Sequence, residues 1–128
     1  MNNLLFVYGT LLDKDNEYAL YLKDQSSFYA EGRVKGKLYD IGEYPGAVLT
    51  GNNSGYVYGV ILKLGNVKEV LRRVDEYEGY GEGETWPNEF VRVATMVETS
   101  KGDIDCWIYL YNFPVINLPH ITSGKYQR

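Results

Sequence analysis

The hydrophobic pattern predicts a chain built mainly from β-strands. Apolar and aromatic residues run without a break from Leu4 to Tyr8 and stop at Gly9, which is typical of a buried strand followed by a sharp turn. From Phe28 onward, small or apolar residues alternate with mostly charged ones as far as Leu38. Glycines within that alternation indicate a strongly bent or bulged strand, as in a small closed sheet.

Four more segments have strand character. They are Ala47–Leu49, Tyr56–Leu64, Phe90–Val97 and Ile104–Tyr111. The last two are separated by Ser100–Asp103, a turn sequence that predicts a hairpin. Pro45 and Gly46 suit a type II turn, unless the bond before Pro45 is cis, and the sequence leaves that open.

Two helices are predicted. A short one ends near Lys23 and begins at a polar stretch where Asp15 or Asn16 can cap it. The second follows Asn66, and the spacing of Asn66 and Glu69 is typical of a capping box. This second helix carries one apolar stripe, formed by Val67, Val70, Leu71 and Val74.

Glu78 is the anomaly in that pattern. It continues the apolar stripe, four residues after Val74, so a carboxylate points where the core is expected. A buried carboxyl must be paired, hydrogen-bonded or protonated, and burial raises its pKa toward the range useful for proton transfer. Alternatively, Gly79 ends the helix early and Glu78 is a solvated terminal residue, a position that the helix dipole disfavours.

The turn at Gly9 offers a second candidate for chemistry. Without a Cβ atom, the backbone can approach a ligand closely there. If the N–H groups that follow converge, they form a small concavity suited to an anion. The plain alternative is a first core strand that ends in a tight turn.

Composition restricts the function classes. The 128 residues suit one domain, with 45% hydrophobic and 23% charged residues. A net charge of −4 argues against a nucleic-acid surface. The single cysteine, Cys106, excludes an internal disulfide and suggests a packed thiol in a reducing, cytoplasmic location. No run is long and apolar enough for a membrane span, and no secretory leader is evident.

The remaining polar residues give weaker signals. The acidic segment from Gly81 to Asn88 is interpreted as a surface loop, with a lid or a weak cation contact as alternatives; it lacks the spacing of a calcium loop. His120 is the only histidine, and a structural role is expected for it. Arg92 interrupts an otherwise apolar strand face, which makes it a candidate partner for a buried acid.

Several segments together resemble the gamma-glutamylcyclotransferase-like family, in particular small bacterial-type gamma-glutamylamine cyclotransferase-like proteins. The matching segments, in chain order, are Phe6–Leu11, Gly36–Tyr39, Tyr44–Ala47, Gly55–Val60 and Val74–Tyr80. Each is weak alone, but the ordered set covers the chain from Phe6 to about Tyr126. The loop from Gly81 to Asn88 is longer and more acidic than in the compact forms of the family.

The resemblance implies an α+β fold, a small mixed β-barrel flanked by about two helices, in one domain spanning residues 1–128. It implies release of 5-oxoproline from gamma-glutamyl compounds without a metal or cofactor. The family's essential acid corresponds to Glu78. Its backbone cradle corresponds to Tyr8, Gly9, Thr10 and Leu11, and its C-terminal aromatic contact corresponds loosely to Tyr126. The expected partner is a small gamma-glutamyl substrate, with the protein a monomer or weak homodimer.

Two other functions remain open from the sequence. One is a binding module that captures an amino-acid-like ligand in the same pocket without catalysis. The other is a two-carboxylate hydrolase that pairs Glu78 with Asp75. The second is weaker, because Asp75 points about 60° away from Glu78 at 100° per residue on a helix.

Overall fold

The computed structural model describes residues 2–9, 17–42, 44–52 and 55–126. The described strands are β1 (Leu4–Val7), β2 (Ser26–Asp40), β3 (Pro45–Leu49), β4 (Tyr56–Leu64), β5 (Phe90–Thr99), β6 (Gly102–Tyr111) and β7 (His120–Ile121). The described helices are α1 (Glu17–Asp24) and α2 (Val67–Glu78). Neither helix in these ranges has the length and apolar character needed to cross a bilayer.

Five strands close into a barrel in the order β2-β4-β1-β6-β5, and β5 returns to β2. The sheet is mixed because β1 runs antiparallel to β4 and parallel to β6. β3 and β7 pair with the second half of β2 and extend the sheet beyond the barrel. The predicted α+β class and the small mixed barrel with two helices are therefore confirmed.

β1 is buried on both faces, which explains its unbroken apolar run. Leu5 and Val7 face a core shared with the two helices, while Phe6 and Tyr8 face the barrel interior. On α2, the predicted stripe packs against that outer core through Val70, Leu71 and Val74. The strand after which the turn at Gly9 begins is thus fixed from two sides.

The barrel closes at a narrow seam. β2 and β5 pair through Arg33 and Glu98, whose side chains also form an ion pair at 3.3 Å. A Cβ atom on Gly32 would lie 2.5 Å from Val97 Cγ1, so glycine allows the two strands to approach each other here. The predicted irregularity of β2 is present as a register shift between Phe28 and Ala30.

Two local predictions are wrong. Asn66 adopts a left-handed conformation at φ 38° and makes no side-chain capping bond, and Glu69 pairs with Arg72 instead of closing a capping box. Pro45 and Gly46 do not form a turn but begin β3, where they pair with Asp40 and Tyr39. Among the described residues the cis peptide bond is Trp86–Pro87, and the bond before Pro45 is trans.

Candidate active site

Glu78 is the last residue of α2, at the end that faces the barrel. The helix stops because Gly79 takes a left-handed conformation at φ 73°, a conformation that glycine adopts without a steric penalty. The main-chain N–H of Tyr80 then donates to the carbonyl of Asp75 at 2.9 Å, which closes the helix end. The C-terminal position exposes Glu78 to the negative end of the helix dipole.

A pocket of about 370 Å³, including its open mouth, lies between this helix end and the end of β1. Its walls come from β1 and the two residues after it, the start of β3 with the residue before it, the end of α2, the start of β5 and the last part of β6. The lining residues are Phe6, Val7, Tyr8, Gly9, Tyr44, Pro45, Glu78, Phe90 and Tyr109. Apart from Glu78, the ionisable side chains among these described lining residues are Tyr8, Tyr44 and Tyr109.

Within the described part of the chain, no hydrogen bond or ion pair engages the Glu78 carboxyl, although every buried side-chain oxygen there has a partner. Its oxygens must therefore reach the open space of the pocket. Burial, and then the negative charges of Glu89 and Asp75, raise the pKa of Glu78 to about 8. The alternative of a solvated terminal residue is inconsistent with this environment.

The Tyr8 side chain connects the end of β1 to β3 and β6. Its hydroxyl donates to the carbonyl of Tyr109 at 2.5 Å and accepts from the N–H of Ala47 at 3.2 Å. The Tyr8 pKa is raised by burial, then by the charge of Glu78, so the hydroxyl stays protonated. Because both of its interactions are internal, Tyr8 fixes the geometry of the strand end.

Gly9 lies directly against Pro45. A Cβ atom on Gly9 would be 2.7 Å from Pro45 Cγ, so even alanine requires a shift of the neighbouring strand. No hydrogen bond among the described residues engages the main-chain N–H of Gly9. Gly9 itself is one of the pocket-lining residues. Thr10 and Leu11, the other predicted donors, lie outside the described residues.

Two polar contacts connect the pocket walls. Tyr44 donates a short hydrogen bond to Glu89, which links the β2–β3 connection to the start of β5. Tyr109 donates to Asp75 Oδ1 at 2.6 Å, and Arg92 contacts the same carboxylate through Nε at 2.8 Å. The prediction that Arg92 pairs with a buried acid is correct in kind, but its partner is Asp75 rather than Glu78.

The remaining sequence candidates lie away from Glu78. Tyr126 packs against the barrel-interior core that contains Tyr8, and it is not one of the pocket-lining residues. His120 is exposed and its ring lies 5.4 Å from that of Tyr39. Cys106 is fully buried, and burial, followed by the charge of Asp105, raises the pKa of its thiol to about 12. The thiol is therefore packed and unreactive.

The acidic loop is closed by Asn88. The side-chain amide of this buried residue donates to the carbonyls of Gly81 and Thr85 and accepts from the N–H of Gly81. The loop residues from Glu82 to Pro87 are exposed. In the described part of the chain no group of three or more histidine, cysteine or acidic side chains is arranged to hold a metal ion.

Sequence reasoning missed Tyr44, Glu89 and Tyr109 as parts of the site. Tyr109 had an available signal, because the predicted hairpin turn fixes the β5–β6 register and places Tyr109 opposite Arg92. Tyr44 and Glu89 had none, since their contact joins two loop ends separated by 45 residues.

Comparison with known proteins decides the family. A sequence model described as "Gamma-glutamyl cyclotransferase, AIG2-like" matches residues 5–128. The chain belongs to this family. A relative named gamma-L-glutamyl-butirosin B gamma-glutamyl cyclotransferase, from Niallia circulans, is 37% identical over 84% of the chain and 66% of its own length. The family protein YtfP of Escherichia coli K12 is 30% identical over 95% of the chain and 94% of its own length.

Solved structures of the family show the same fold. The crystal structure of YkqA from Bacillus subtilis superposes with a TM-score of 0.72 at 29% identity, over 98% of the chain and 40% of YkqA. A mouse AIG2-like protein superposes with a TM-score of 0.74 at 21% identity, over 98% of the chain and 88% of its own. The chain spans just under two thirds of the Niallia relative and about a third of the YkqA sequence.

Proposed function

We propose that this protein releases 5-oxoproline and a free amine or amino acid from a gamma-glutamyl compound, with Glu78 as general acid and base. The observation that carries the proposal is the Glu78 carboxyl, which has no partner among the described residues and reaches a pocket that Gly9 also lines. Membership of the gamma-glutamyl cyclotransferase family supports the reaction class.

The reaction is an intramolecular acyl transfer. The α-amino nitrogen of the substrate attacks its own γ-carbonyl carbon, a C–N bond closes the five-membered ring, and the bond to the leaving amine breaks. Because both reacting groups belong to one molecule, holding them in the right conformation supplies much of the rate. Between the ammonium form of the substrate and the lactam, the attacking nitrogen loses two protons, and the leaving nitrogen gains one. The protein must therefore hold the substrate in a folded conformation and transfer these protons.

Glu78 is matched to that proton transfer. The ordinary pKa of a peptide α-amino group is near 8, the free α-carboxylate of the substrate raises the pKa of its α-amino group somewhat above that value, and the pKa of Glu78 is raised to about 8. The ionised form of Glu78 can therefore take one proton from the substrate's ammonium group at a small free-energy cost, and a base with a pKa near the working pH is the most effective. Glu78 then gives this proton to the leaving nitrogen and takes the second proton of the attacking nitrogen as the ring closes, so that the amine leaves uncharged and Glu78 ends protonated.

The described lining residues include neither lysine nor arginine, so we expect donors other than side-chain cations to hold the substrate's α-carboxylate. Main-chain N–H groups after β1 suit this purpose, beginning with Gly9 and continuing with Thr10 and Leu11. Tyr8 holds the strand that carries these donors. Tyr126 is proposed as an aromatic contact near the C-terminus, packed on the same core as Tyr8.

The leaving group is expected to lie toward the open mouth of the pocket. The Niallia relative is named for a gamma-glutamyl derivative of butirosin B, so a large leaving amine is within the range of this family. The residues from Glu82 to Pro87 are exposed, and we expect this loop to accommodate such a group. We further expect the protein to act in the cytoplasm, without a metal or cofactor, as a monomer or weak homodimer.

The test is a panel of gamma-glutamyl amino acids, gamma-glutamyl amines and gamma-glutamyl aminoglycosides, scored for 5-oxoproline by chromatography. The matched blank is Glu78→Gln, which keeps the size of the side chain and removes its acid. Release by the wild-type protein that is absent in the blank supports the proposal. Saturable binding in calorimetry without release from any member would instead establish a non-catalytic binding module.

A further inference from the structure

Asp75 is the most engaged carboxylate near the pocket. Its Oδ1 accepts from Arg92 Nε at 2.8 Å and from the Tyr109 hydroxyl at 2.6 Å, and its Oδ2 accepts from Arg92 Nη2 at 3.2 Å. Its side chain is 20% exposed, and that of Arg92 is 16% exposed. Three charge-assisted hydrogen bonds in a largely buried setting hold one geometry much more firmly than a solvated ion pair does.

These contacts cross from the helix to two strands of the barrel. Arg92 belongs to β5 and Tyr109 to β6, and the two residues face each other in the ladder. The Arg92 guanidinium also lies 4.4 Å from the Trp107 ring centroid, which limits its freedom. Asp75 therefore attaches the last turn of α2 to a rigid part of the barrel.

The attachment lies one turn before Glu78. Glu78 is the third residue after Asp75 on the helix. Val74 is the last buried apolar residue of the stripe, and beyond it the half-buried Tyr77 packs its ring against Tyr18 of α1. The main-chain carbonyl of Asp75 also accepts the bond from Tyr80 that closes the helix end. Without the hydrogen bonds of the Asp75 side chain to Arg92 and Tyr109, the turn that carries Glu78 would lose its polar contacts with the barrel.

The tyrosine that Asp75 holds is itself part of the pocket. The Tyr109 ring lines the wall beside Glu78, and the Tyr109 carbonyl accepts from the Tyr8 hydroxyl. One continuous set of bonds thus joins Arg92, Asp75, Tyr109 and Tyr8. This set connects the helix end with the strand end on the opposite side of the pocket.

We propose that Asp75 is a positioning residue for Glu78: by binding Arg92 and Tyr109 it fixes the last turn of α2 so that the Glu78 carboxyl stays directed into the pocket. This inference rests on the proposed function for its catalytic meaning, but its structural part stands on the contacts alone. The same contacts argue against the two-carboxylate hydrolase, because both oxygens of Asp75 already accept hydrogen bonds from Arg92 or Tyr109.

The charge of Asp75 also acts on Glu78, together with other groups. Among the described residues, the titratable side chains that interact electrostatically with Glu78 are Tyr8 after β1, Tyr44 before β3, Asp75 on α2, Glu89 before β5 and Tyr109 on β6, and Arg92 on β5 is bound to Asp75. Of these, Glu89 and Asp75 raise the pKa of Glu78. Removing the Asp75 charge should therefore move the Glu78 titration to lower pH.

The experiment compares Asp75→Asn with Glu76→Gln. Both remove one negative charge from the same helix turn, but Glu76 is exposed and pairs with Arg72 on the solvent side. The first readout is the Glu78 carboxyl titration, followed by carbon-13 NMR. We expect Asp75→Asn to lower the midpoint by up to roughly one pH unit, the scale on which one neighbouring charge shifts the pKa of a partly buried carboxyl. Glu76→Gln should leave it nearly unchanged.

The second readout is amide hydrogen exchange in the last turn of α2, which reports the positioning itself. Asp75→Asn and Tyr109→Phe should each speed exchange at Tyr77, Glu78 and Gly79 at least tenfold, while Glu76→Gln should not. In turnover, Asp75→Asn should lower kcat about tenfold or more and leave KM within twofold. The reason is that the main-chain N–H groups after β1, which are proposed to bind the substrate's α-carboxylate, are unchanged. Tyr109→Phe serves if Asp75→Asn does not fold.

The outcomes separate the two proposals. Wild-type protein that releases no 5-oxoproline contradicts the proposed function, whereas titration and exchange still test the role of Asp75. A Glu78 midpoint and helix-end exchange that are the same in Asp75→Asn as in Glu76→Gln overturn the positioning role, whatever the activity. A raised KM with an unchanged kcat in Asp75→Asn also overturns the positioning role, because that result would place Asp75 in substrate binding.

Discussion

Helix α2 carries two ion-pair networks, one on its solvent side and one against the barrel, and they differ in environment more than in distance. On the solvent face, Arg72 contacts Glu69 at 2.6 Å and Glu76 at 2.7 Å, with side chains 43–55% exposed. On the barrel face, Arg92 contacts Asp75 at 2.8 Å, with side chains 16–20% exposed. The shorter contacts are the weaker ones, because water screens them and both partners remain solvated when separated.

The comparison shows what each network can do. The solvent network stabilises the helix slightly and constrains nothing else. The barrel network fixes where the helix ends relative to β5 and β6, because breaking it would leave a charge without a partner in a poorly solvated place. Glu78 belongs to neither network. It is the unpaired acid at the end of the helix, and this leaves it able to exchange a proton.

The largest expected effect comes from neutralising the unpaired acid. Glu78→Gln should lower kcat for 5-oxoproline release roughly a thousandfold, within the range for loss of a general acid–base group. Glu76→Gln, two residues earlier on the solvent face, should retain at least half of the wild-type rate. Initial rates with the best substrate of the panel measure both. Equal rates in the two variants would remove Glu78 from the mechanism.

The next effect concerns stability and compares the two networks directly. Asp75→Ala should lower the free energy of unfolding by about 3 kcal/mol, because Arg92 and the Tyr109 hydroxyl lose their partner. That corresponds to a fall in Tm of roughly 10 °C. Glu76→Ala should leave Tm within measurement error. Thermal unfolding followed by circular dichroism checks the pair, and similar Tm values for both would contradict the distinction between the networks.

A smaller effect on stability should depend on pH. The folded protein keeps a proton on Glu78 up to a pKa of about 8, whereas the unfolded chain loses it near 4.5. Stability from this group is present below the unfolded pKa and declines as pH rises from about 4.5 to 8. The full shift would amount to roughly 5 kcal/mol, which partial solvent access to the pocket reduces to about 2.

Because glutamine does not titrate, Glu78→Gln should match the wild-type protein in stability at pH 4.5 and exceed it by that amount above pH 8. Denaturant unfolding at a series of pH values gives the free energy of unfolding of both proteins. The difference between the two free energies isolates the contribution of Glu78, because the contributions of the other titrating groups cancel. A gap that stays constant with pH, or that narrows as pH rises, would show that the Glu78 pKa is not raised.

The smallest expected effect tests the opposite wall of the pocket. Gly9→Val should weaken substrate binding at least tenfold, about 1.4 kcal/mol, because an added Cβ atom would lie 2.7 Å from Pro45 Cγ and should shift the main chain that carries the proposed donors. Titration calorimetry on Glu78→Gln, with and without Gly9→Val, measures binding without turnover. Gly51→Val is a suitable control, since nothing lies within 4 Å of a Cβ atom there. Equal affinities would exclude the turn from the site.

Much of this arrangement follows from local sequence. The period of α2 identified Glu78 as an acid on an apolar stripe, and the unbroken run of β1 indicated a strand buried on both sides. The hairpin turn set the register of β5 and β6. In each case the relevant neighbours lie within one element or one turn, so spacing alone determines which side chains share a face.

The parts that the sequence did not predict depend on how distant elements pack. Arg92 was expected to pair with a buried acid, but the angle at which α2 crosses β5 decides that Asp75 is that acid. The contact between Tyr44 and Glu89 joins two loop ends, and no period relates them. Pro45 and Gly46 had the composition of a turn, and pairing with β2 drew them into a strand instead.

The glycine that ends α2 has a consequence for how the protein meets its substrate. By stopping the helix directly after Glu78, Gly79 places that carboxyl at the electronegative terminus, in a crowded hollow, where it stays neutral near pH 7. A gamma-glutamyl compound arrives as an ammonium ion, so protein and ligand together carry one proton too many for cyclisation. Docking must release that proton to the medium. The heat of association should therefore vary with the ionisation enthalpy of the buffer.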